Sequence, residues 1–364
     1  MKKTVQLWLI SGVLLTGQVL AAAGAPQKPI VVTDGPYVEI QKEQLKFSWI
    51  CHNQVSTSEV SQQQLPYHFS QCGTQASLYQ TQFGKDLVEY QGDFKVAALS
   101  DLHGQYDLMM GLLSNNSIIN DAGHWAFGDG HFVITGDVFD RGDKVTEILW
   151  FLHRLEQEAE KAGGKLHLLL GNHEVMVLNG DLRYLNPKYV KAARLLGQPF
   201  SQLLADNTVL GRWLRSKSVL VKINGNLYAH GGFHPSLAVE KRSLVEINQV
   251  FKQNLVKAEL VQPRQGWGKY LHKTNGPIWY RGYFKGSFLK DSGASTAEID
   301  LLLSHFDVKH LIVGHTSQDT IETRHQGKVI AIDSSIKNGE NGEILLIDGD
   351  KKWRGLLSGE RLGL

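Results

Sequence analysis

Short apolar runs alternate with segments of helical periodicity along much of the chain. Residues 95–99, 132–135 and 166–170 form short, mostly apolar runs of a length typical of buried strands. Residues 145–155 carry apolar side chains at helical spacing, which predicts an amphipathic helix with one face on a sheet. Residues 106–113 predict another helix. This β-α-β-α-β order predicts an α/β fold in which helices cover a buried sheet.

The later part of the chain predicts further strands and a helix. Strand-like runs occur at residues 221–229, 309–313, 329–332 and 343–347. We expect the last two runs to pair as a hairpin in a second sheet. Ser295 and Glu298 have the spacing of a capping box, which predicts a helix from there through Phe306.

Two segments depart from this alternation. Residues 26–92 are rich in Gln, Ser, Thr and aromatic residues, and alternating runs at 38–40 and 46–50 predict an accessory β segment. The main domain is predicted at residues 93–364. Within it, residues 181–219 have helical periodicity between two strand-like runs, which predicts an inserted helical cap.

Residues 1–25 have the three parts of a secretory signal peptide. Lys2 and Lys3 precede an apolar stretch at 7–20, and small residues at 21–25 follow it. The stretch is shorter than the ~20 residues that a membrane-spanning helix needs, so we expect cleavage and no membrane anchor. The expected cleavage positions are those after Ala21, Ala23 and Ala25. The sequence therefore predicts a periplasmic or secreted protein.

Composition and charge narrow the classes of function. The chain has 364 residues, of which 42% are hydrophobic and 20% are charged, so a folded globular protein is expected and a mainly disordered one is excluded. Without Lys2 and Lys3, 36 basic and 36 acidic residues remain. Bulk charge therefore gives no attraction to nucleic acid, and we expect no nucleic-acid partner.

Cys51 and Cys72 are the two cysteines of the sequence. In an oxidising compartment the prediction is one structural disulfide, which stabilises by ~3 kcal/mol in the chain-entropy model. A nucleophilic cysteine of the phosphatase type needs Arg six positions later, but Thr57 and Leu78 stand there. Neither cysteine therefore fits that role.

Polar motifs follow the apolar runs at five places. They are Asp101-Leu102-His103-Gly104, Gly136-Asp137-Val138-Phe139-Asp140-Arg141-Gly142, Gly171-Asn172-His173-Glu174, His230-Gly231-Gly232 and Gly314-His315-Thr316. In open α/β sheets, ligand sites form at the carboxyl ends of strands, so we expect these motifs to meet.

The side chains in these motifs predict a site for two metal ions. The predicted ligands are Asp101, His103, Asp137, Asn172, His230 and His315. Imidazole, carboxylate and amide donors together suit Mn, Fe or Zn better than Ca or Mg. Asp137 is the expected bridge, because one carboxylate can share its oxygens between two cations. Two such cations ~3.5–4 Å apart can hold a phosphoryl group and activate water for direct attack on phosphorus.

Four further residues suit phosphoryl chemistry. Arg141 can donate a forked pair of hydrogen bonds to phosphate oxygens. Asn172, besides its place among the metal ligands, is also predicted to bind substrate. His173 can protonate the leaving oxygen, and Asp140 can orient His173 and keep it cationic. Arg281, next to Trp279 and Tyr280, is a weaker prediction for a second phosphate contact.

The motif set from Asp101 to His315 resembles the calcineurin-like metallophosphoesterases, and specifically their phosphoprotein phosphatase branch. The order Asp-x-His-Gly, Gly-Asp-x-x-Asp-Arg-Gly, Gly-Asn-His-Glu, His and His is complete over residues 94–335. The resemblance implies a metallophosphoesterase fold: two packed mixed β-sheets flanked by helices, with the accessory β segment and cap added. It also implies that Asp101, His103 and Asp137 hold one metal. Asp137, Asn172, His230 and His315 would hold the other.

Two departures from the eukaryotic serine/threonine phosphatases set the chain apart. Residues 276–282 read Gly-Pro-Ile-Trp-Tyr-Arg-Gly where those enzymes have Leu-x-Trp-x-Asp-Pro, and the insertion at 181–219 is unlike their compact core. Together with the leader, these features resemble the Shewanella-like phosphatase group. The resemblance implies a metal-dependent phosphatase that accepts phosphotyrosine in a protein or peptide. A dinucleoside polyphosphate hydrolase or nucleotidase on the same two-metal site is the alternative, which the residues around Trp279 leave open.

Overall fold

The computed structural model describes residues 30–256, 263–284 and 293–364. The predicted leader at residues 1–25 lies outside them. Within the described ranges the strands are β1 Asp34–Ile40, β2 Gln44–Cys51, β3 Gln54–Ser61, β4 Tyr67–Gln71, β5 Thr74–Leu78, β6 Glu89–Tyr90, β7 Val96–Leu99, β8 His131–Ile134, β9 Lys165–Leu168, β10 Leu220–Ile223, β11 Asn226–Ala229, β12 His310–Val313, β13 Glu322–Arg324, β14 Val329–Ala331, β15 Glu343–Asp348, β16 Lys351–Leu356 and β17 Arg361–Gly363.

The helices cover the larger sheets and fill the connections between strands. Within the same described ranges they are α1 Tyr106–Asn115, α2 Val145–Lys161, α3 Asn172–Leu178, α4 Pro187–Leu196, α5 Val209–Ser216, α6 Ser236–Val239, α7 Leu244–Gln253, α8 Gly266–Leu271 and α9 Thr296–Phe306. Among these residues, no helix is both long enough and apolar enough to cross a bilayer.

Two mixed six-stranded sheets form the centre of the fold, which confirms the predicted class. Sheet 1 has the order β17-β16-β15-β7-β8-β9, and sheet 2 has the order β13-β14-β12-β11-β10-β6. Strands β7, β8 and β9 are parallel, which is the arrangement that helical crossover connections produce. Strands β11, β12 and β14 form a second parallel set.

The two sheets share one hydrophobic layer. Alternate residues Val96 and Ala98 of β7 lie in one buried cluster with Val221 and Ile223 of β10 and Ile312 of β12. The period of two is that of a strand with one face turned to the layer. Burial of this layer holds the sheets face to face, and the carboxyl ends of both parallel sets can therefore contribute to one site.

The expected hairpin between residues 329–332 and 343–347 is wrong. Strand β14 pairs with β12 and β13 in sheet 2, whereas β15 pairs with β7 and β16 in sheet 1. Both runs are apolar because both strands are buried, and apolar character alone does not specify a strand's partner. The run at 221–229 is likewise two antiparallel strands, since Asn224 and Gly225 adopt positive φ in a tight turn.

The accessory β segment packs on helix α2. Strands β1, β2 and β3 form one small sheet, and β4 and β5 form another. The Trp150 indole of α2 donates a hydrogen bond to the Pro36 carbonyl at 2.9 Å, and the Phe69 ring centroid lies 5.3 Å from that of Trp150. Cys51 of β2 and Cys72, in the β4–β5 turn, form a disulfide that links the two small sheets.

The residues at 181–219 include helices α4 and α5, in line with their periodicity. Helix α4 begins at an Asn186 N-cap and ends at Gly197 in the left-handed conformation. Ala192 of α4 is buried against Ile50 of β2. The insertion is therefore held on the accessory strands by its apolar face.

Candidate metal centre and comparisons with known proteins

The predicted site residues gather where the parallel strands of both sheets end. Asp101 follows β7, Asp137 follows β8, and Asn172 is the first residue of α3, the helix that comes after β9. From sheet 2, His230 follows β11 and His315 follows β12. All five side chains are at most 5% exposed. The motifs therefore lie together, as the sequence predicts. They come from the strand ends of two sheets and not of a single sheet.

Asp137 lies at the middle of the cluster. Its Oδ2 is 3.1 Å from His230 Nε2, 3.7 Å from His103 Nε2 and 3.8 Å from His173 Nε2. Two groups of potential metal ligands share this residue, one with His103 and His173 and the other with His230 and His315. A carboxylate that belongs to both groups has the position that a bridging ligand requires.

In the group that contains His230 and His315, the polar atoms lie close to His230 Nε2. Asn172 Oδ1 lies 2.9 Å from it, and His315 Nδ1 lies 3.1 Å from it. The Nδ1 atom of His230 faces the Thr135 carbonyl at 3.1 Å, which orients the ring with Nε2 toward the site. His315 Nε2 is buried and has no hydrogen-bond partner in the part of the chain that the structure describes. This donor set fits a transition-metal cation.

The other group contains His103, with Asp101 beside it. His103 Nδ1 lies 2.7 Å from the Phe139 carbonyl, so its Nε2 is presented to the carboxylates. Asp101 Oδ1 is 3.9 Å from that Nε2, while Asp101 Oδ2 accepts the His315 backbone N–H at 2.9 Å. One oxygen of Asp101 thus joins the two sheets, and the other faces the site.

The pKa values of these histidines differ, so some of them are neutral and able to bind a cation at a pH where others carry a proton. Burial lowers the pKa of His103 to about 4, and burial, with His230 and Arg281 nearby, lowers the pKa of His315 well below its ordinary value. For His230, burial also lowers the pKa, but Asp137 and Asp101 outweigh it and raise the pKa to about 9. A cation bound at His230 must therefore displace a proton.

His173 is held in the orientation that a proton donor needs. Its Nδ1 lies 2.5 Å from Asp140 Oδ2, and its backbone N–H donates to Asp137 Oδ1 at 3.0 Å. Burial lowers the pKa of His173, but Asp137 and Asp140 outweigh it and raise that pKa above its ordinary value. A cation at Asp137 would reduce that carboxylate's effect, and Asp140 would still favour the protonated ring.

Glu174 is a positioning residue to which the sequence motif alone assigns no role. Its buried carboxylate accepts backbone N–H groups of Asp137 at 2.9 Å, Val138 at 2.7 Å and Gly171 at 2.7 Å. These bonds fix the turn after β8 against the start of α3. Its place three residues after Gly171, at the third position of a helix, is the signal that could have predicted this contact.

Arg141 and Arg281 occupy different surroundings. Arg141 is exposed, and its guanidinium carbon lies 5.7 Å from the centroid of the Tyr184 ring. Its predicted contact with phosphate stays a prediction. Arg281 is partly buried, and its Nη1 donates to the His315 carbonyl and to Thr316 Oγ1, each at 2.9 Å. Arg281 therefore supports the His315 turn, and its predicted contact with phosphate stays a prediction.

The backbone at the site is strained in a consistent way. Positive φ angles, which L-residues rarely adopt, occur at Asp101, His103, Asp137, Asp140, Arg141 and His315. Such conformations cost about 1–3 kcal/mol each and persist only where surrounding contacts impose them. Clustering at the ends of β7, β8 and β12 is typical of a functional site.

This fold and donor set define a metal-dependent phosphoesterase, and residues 94–319 match the calcineurin-like phosphoesterase family. The chain belongs to this family. The crystal structure of the cold-active protein-tyrosine phosphatase of a psychrophilic Shewanella species is 41% identical, with a TM-score of 0.85 over 91% of this chain and 99% of that one.

Two curated relatives have related names. Shewanella-like protein phosphatase 2 of Arabidopsis thaliana is 25% identical over 315 residues, which cover 73% of this chain and 75% of that protein. Shewanella-like protein phosphatase 1 of Plasmodium berghei is 27% identical over 237 residues, which cover 64% of this chain and 63% of that protein. The chain is therefore a metallophosphatase, as its motifs predict.

Replacing Asp137 with Asn is expected to remove bound metal and lower kcat/KM by more than ~100-fold, because an amide is a weaker ligand than the carboxylate shared by both groups. Metal content by mass spectrometry and phosphatase rate are the measurements. Asp121→Asn, at an exposed position, is the matched control and should keep both values. Stoichiometric metal and a wild-type rate in Asp137→Asn would disprove the bridging position.

Replacing His173 with Asn is expected to lower turnover by ~10²–10⁴-fold while metal content stays at the wild-type level, because only proton transfer is lost. The defect should be smaller for p-nitrophenyl phosphate, whose leaving group needs no proton. His124→Asn, at an exposed position, is the control. Loss of metal in His173→Asn would instead make His173 a ligand, which its distance from Asp137 also permits.

Proposed function

We propose that this metallophosphatase is a protein phosphatase that prefers phosphotyrosine and uses two metal ions. The observation that carries the proposal is the likeness over nearly the whole chain to a structure described as a protein-tyrosine phosphatase. Two sets of side chains around Asp137, one with His103 and Asp101 and the other with His230 and His315, support a pair of cations. Mn, Fe or Zn suits these donors. The substrate is a phosphorylated protein or peptide.

In hydrolysis, some residues of this chain bind the phosphate group or the metal ions, and others transfer a proton. Arg141 donates hydrogen bonds to the phosphate oxygens in the fork that suits phosphate. The residues that would hold the metal ions are Asp101, His103, Asp137, Asn172, His230 and His315. Cations bound there would polarise phosphate oxygens and would lower the pKa of water.

His173 supplies the proton that the leaving oxygen needs. Because Asp140 accepts the Nδ1–H bond at 2.5 Å, the second proton of the cationic ring lies on Nε2, which faces Asp137. As water adds to phosphorus and the P–O bond to the leaving oxygen breaks, that proton would pass to the leaving oxygen, so that tyrosine and inorganic phosphate are the products. Asp140 stabilises the positive ring before the transfer. Both residues are at most 5% exposed, so water competes little for these hydrogen bonds.

We also propose that the protein is exported to the periplasm, with secretion as the alternative destination. The pattern of residues 1–25 supports this proposal, and so does the disulfide between Cys51 and Cys72, since disulfides persist in oxidising compartments.

The assay that tests the substrate class compares three substrates on metal-loaded enzyme: a phosphotyrosine peptide, the same peptide with phosphoserine, and a dinucleoside tetraphosphate. We expect kcat/KM to be highest for the phosphotyrosine peptide, because the protein resembles a tyrosine phosphatase. Preference for the phosphoserine peptide would keep a protein phosphatase but refute the residue preference. Preference for the nucleotide would refute the protein substrate while leaving the metal centre intact.

Export is tested by expressing the full chain in a Gram-negative host and measuring the intact mass of the periplasmic protein. We expect a chain that begins at residue 22, 24 or 26 and lacks the two hydrogens lost in the disulfide, because cleavage follows small residues. Leu14→Arg, which places a charge in the apolar stretch, should retain the uncleaved chain in the cytoplasm. Uncleaved wild-type protein with free thiols would contradict the proposal.

A further inference from the structure

Tyr184 is a large aromatic side chain that stays 47% exposed beside the metal centre. Its ring centroid lies 5.3 Å from the centroid of the His173 ring. The guanidinium carbon of Arg141 lies 5.7 Å from the Tyr184 centroid. Tyr184 thus borders both the residue that donates the proton and the residue that binds phosphate, yet it has no part in the chemistry described above.

The loop that carries Tyr184 is hydrogen-bonded to the turn that carries Arg141. The Arg141 backbone N–H donates to the Tyr184 carbonyl at 3.1 Å, and the Asn186 side-chain amide donates to the Arg141 carbonyl at 2.8 Å. Arg183 adds a paired contact with Asp181 through two hydrogen bonds of 2.8 Å. The position of the Tyr184 ring is therefore tied to that of Arg141 rather than left to a free loop.

The position of the proton donor His173 indicates where the organic group of a substrate lies in the site. The leaving oxygen has to approach His173, so the group attached to that oxygen extends from the His173 side. Tyr184 is an aromatic side chain on this side. Trp279, in contrast, lies next to His315, with a ring separation of 5.6 Å, and borders the other ligand group.

We propose that Tyr184 is a specificity-determining residue that packs against the aromatic ring of phosphotyrosine as its phosphate meets Arg141. The inference rests on the proposed function and names the side chain that produces its preference. An aromatic pair adds favourable contact that the short aliphatic side chain of phosphoserine cannot make. The insertion at 181–219, whose first loop supplies Tyr184, would thereby contribute to substrate choice.

The test measures kcat/KM for matched phosphotyrosine and phosphoserine peptides, together with the inhibition constant of inorganic phosphate. In Tyr184→Ala the phosphotyrosine-to-phosphoserine ratio should fall by about 3- to 10-fold, the range typical of an aromatic pair. The inhibition constant of inorganic phosphate should stay at its wild-type value, because that ion has no organic group. Tyr184→Phe keeps the ring and should keep the ratio.

Tyr79→Ala provides a matched control away from the site, because the Tyr79 ring lies 4.6 Å from Lys161 Nζ on helix α2. That variant should retain the wild-type ratio. Two outcomes would overturn the inference while the proposed function stands: an unchanged ratio in Tyr184→Ala, or inhibition by phosphate that weakens as much as peptide turnover. A wild-type enzyme without preference for phosphotyrosine would instead refute the proposed function, and the inference with it.

Discussion

The buried carboxylate of Asp137 is the constraint on which the site depends. A charge that is 2% exposed is costly unless other groups compensate for it. Burial raises the pKa of Asp137, but His230 and His173 outweigh it and hold that pKa well below the ordinary value. These imidazoles come from different sheets, so the two sheets must keep their relative position for the charge to be tolerated. A bound cation would also compensate for the buried negative charge of Asp137.

The close approach of two turns makes glycine necessary at the site. A Cβ atom on Gly142 would lie 2.5 Å from the His103 carbonyl oxygen, and one on Gly104, whose φ is +74°, would lie 2.7 Å from the Gly142 backbone. Any side chain there would separate the turn that holds His103 from the turn that holds Arg141. The glycines therefore serve packing between motifs as well as local conformation.

The accessory β segment and the insertion at 181–219 contact the rest of the domain through helix α2 and through the loop that carries Tyr184. The accessory strands cover the Trp150 face of α2, which explains why this helix is buried on more than the single face that its periodicity predicts. The insertion packs its helices on those strands and directs Tyr184 toward the metal centre. The accessory strands therefore contact, through helix α4, the insertion whose first loop carries Tyr184.

Periodicity and the placement of motifs after strands are local signals, and they are enough to predict strands β7, β8 and β9, the capping box at Ser295 and the residues that lie around Asp137. The placement of β14 and β15 in different sheets is a feature of the folded chain that these local signals do not contain. The same holds for the contacts by which Glu174 fixes the turn after β8 and for the position of Tyr184 beside His173. Strand partners and contacts between distant loops depend on how buried surfaces fit together, and local periodicity does not record that fit.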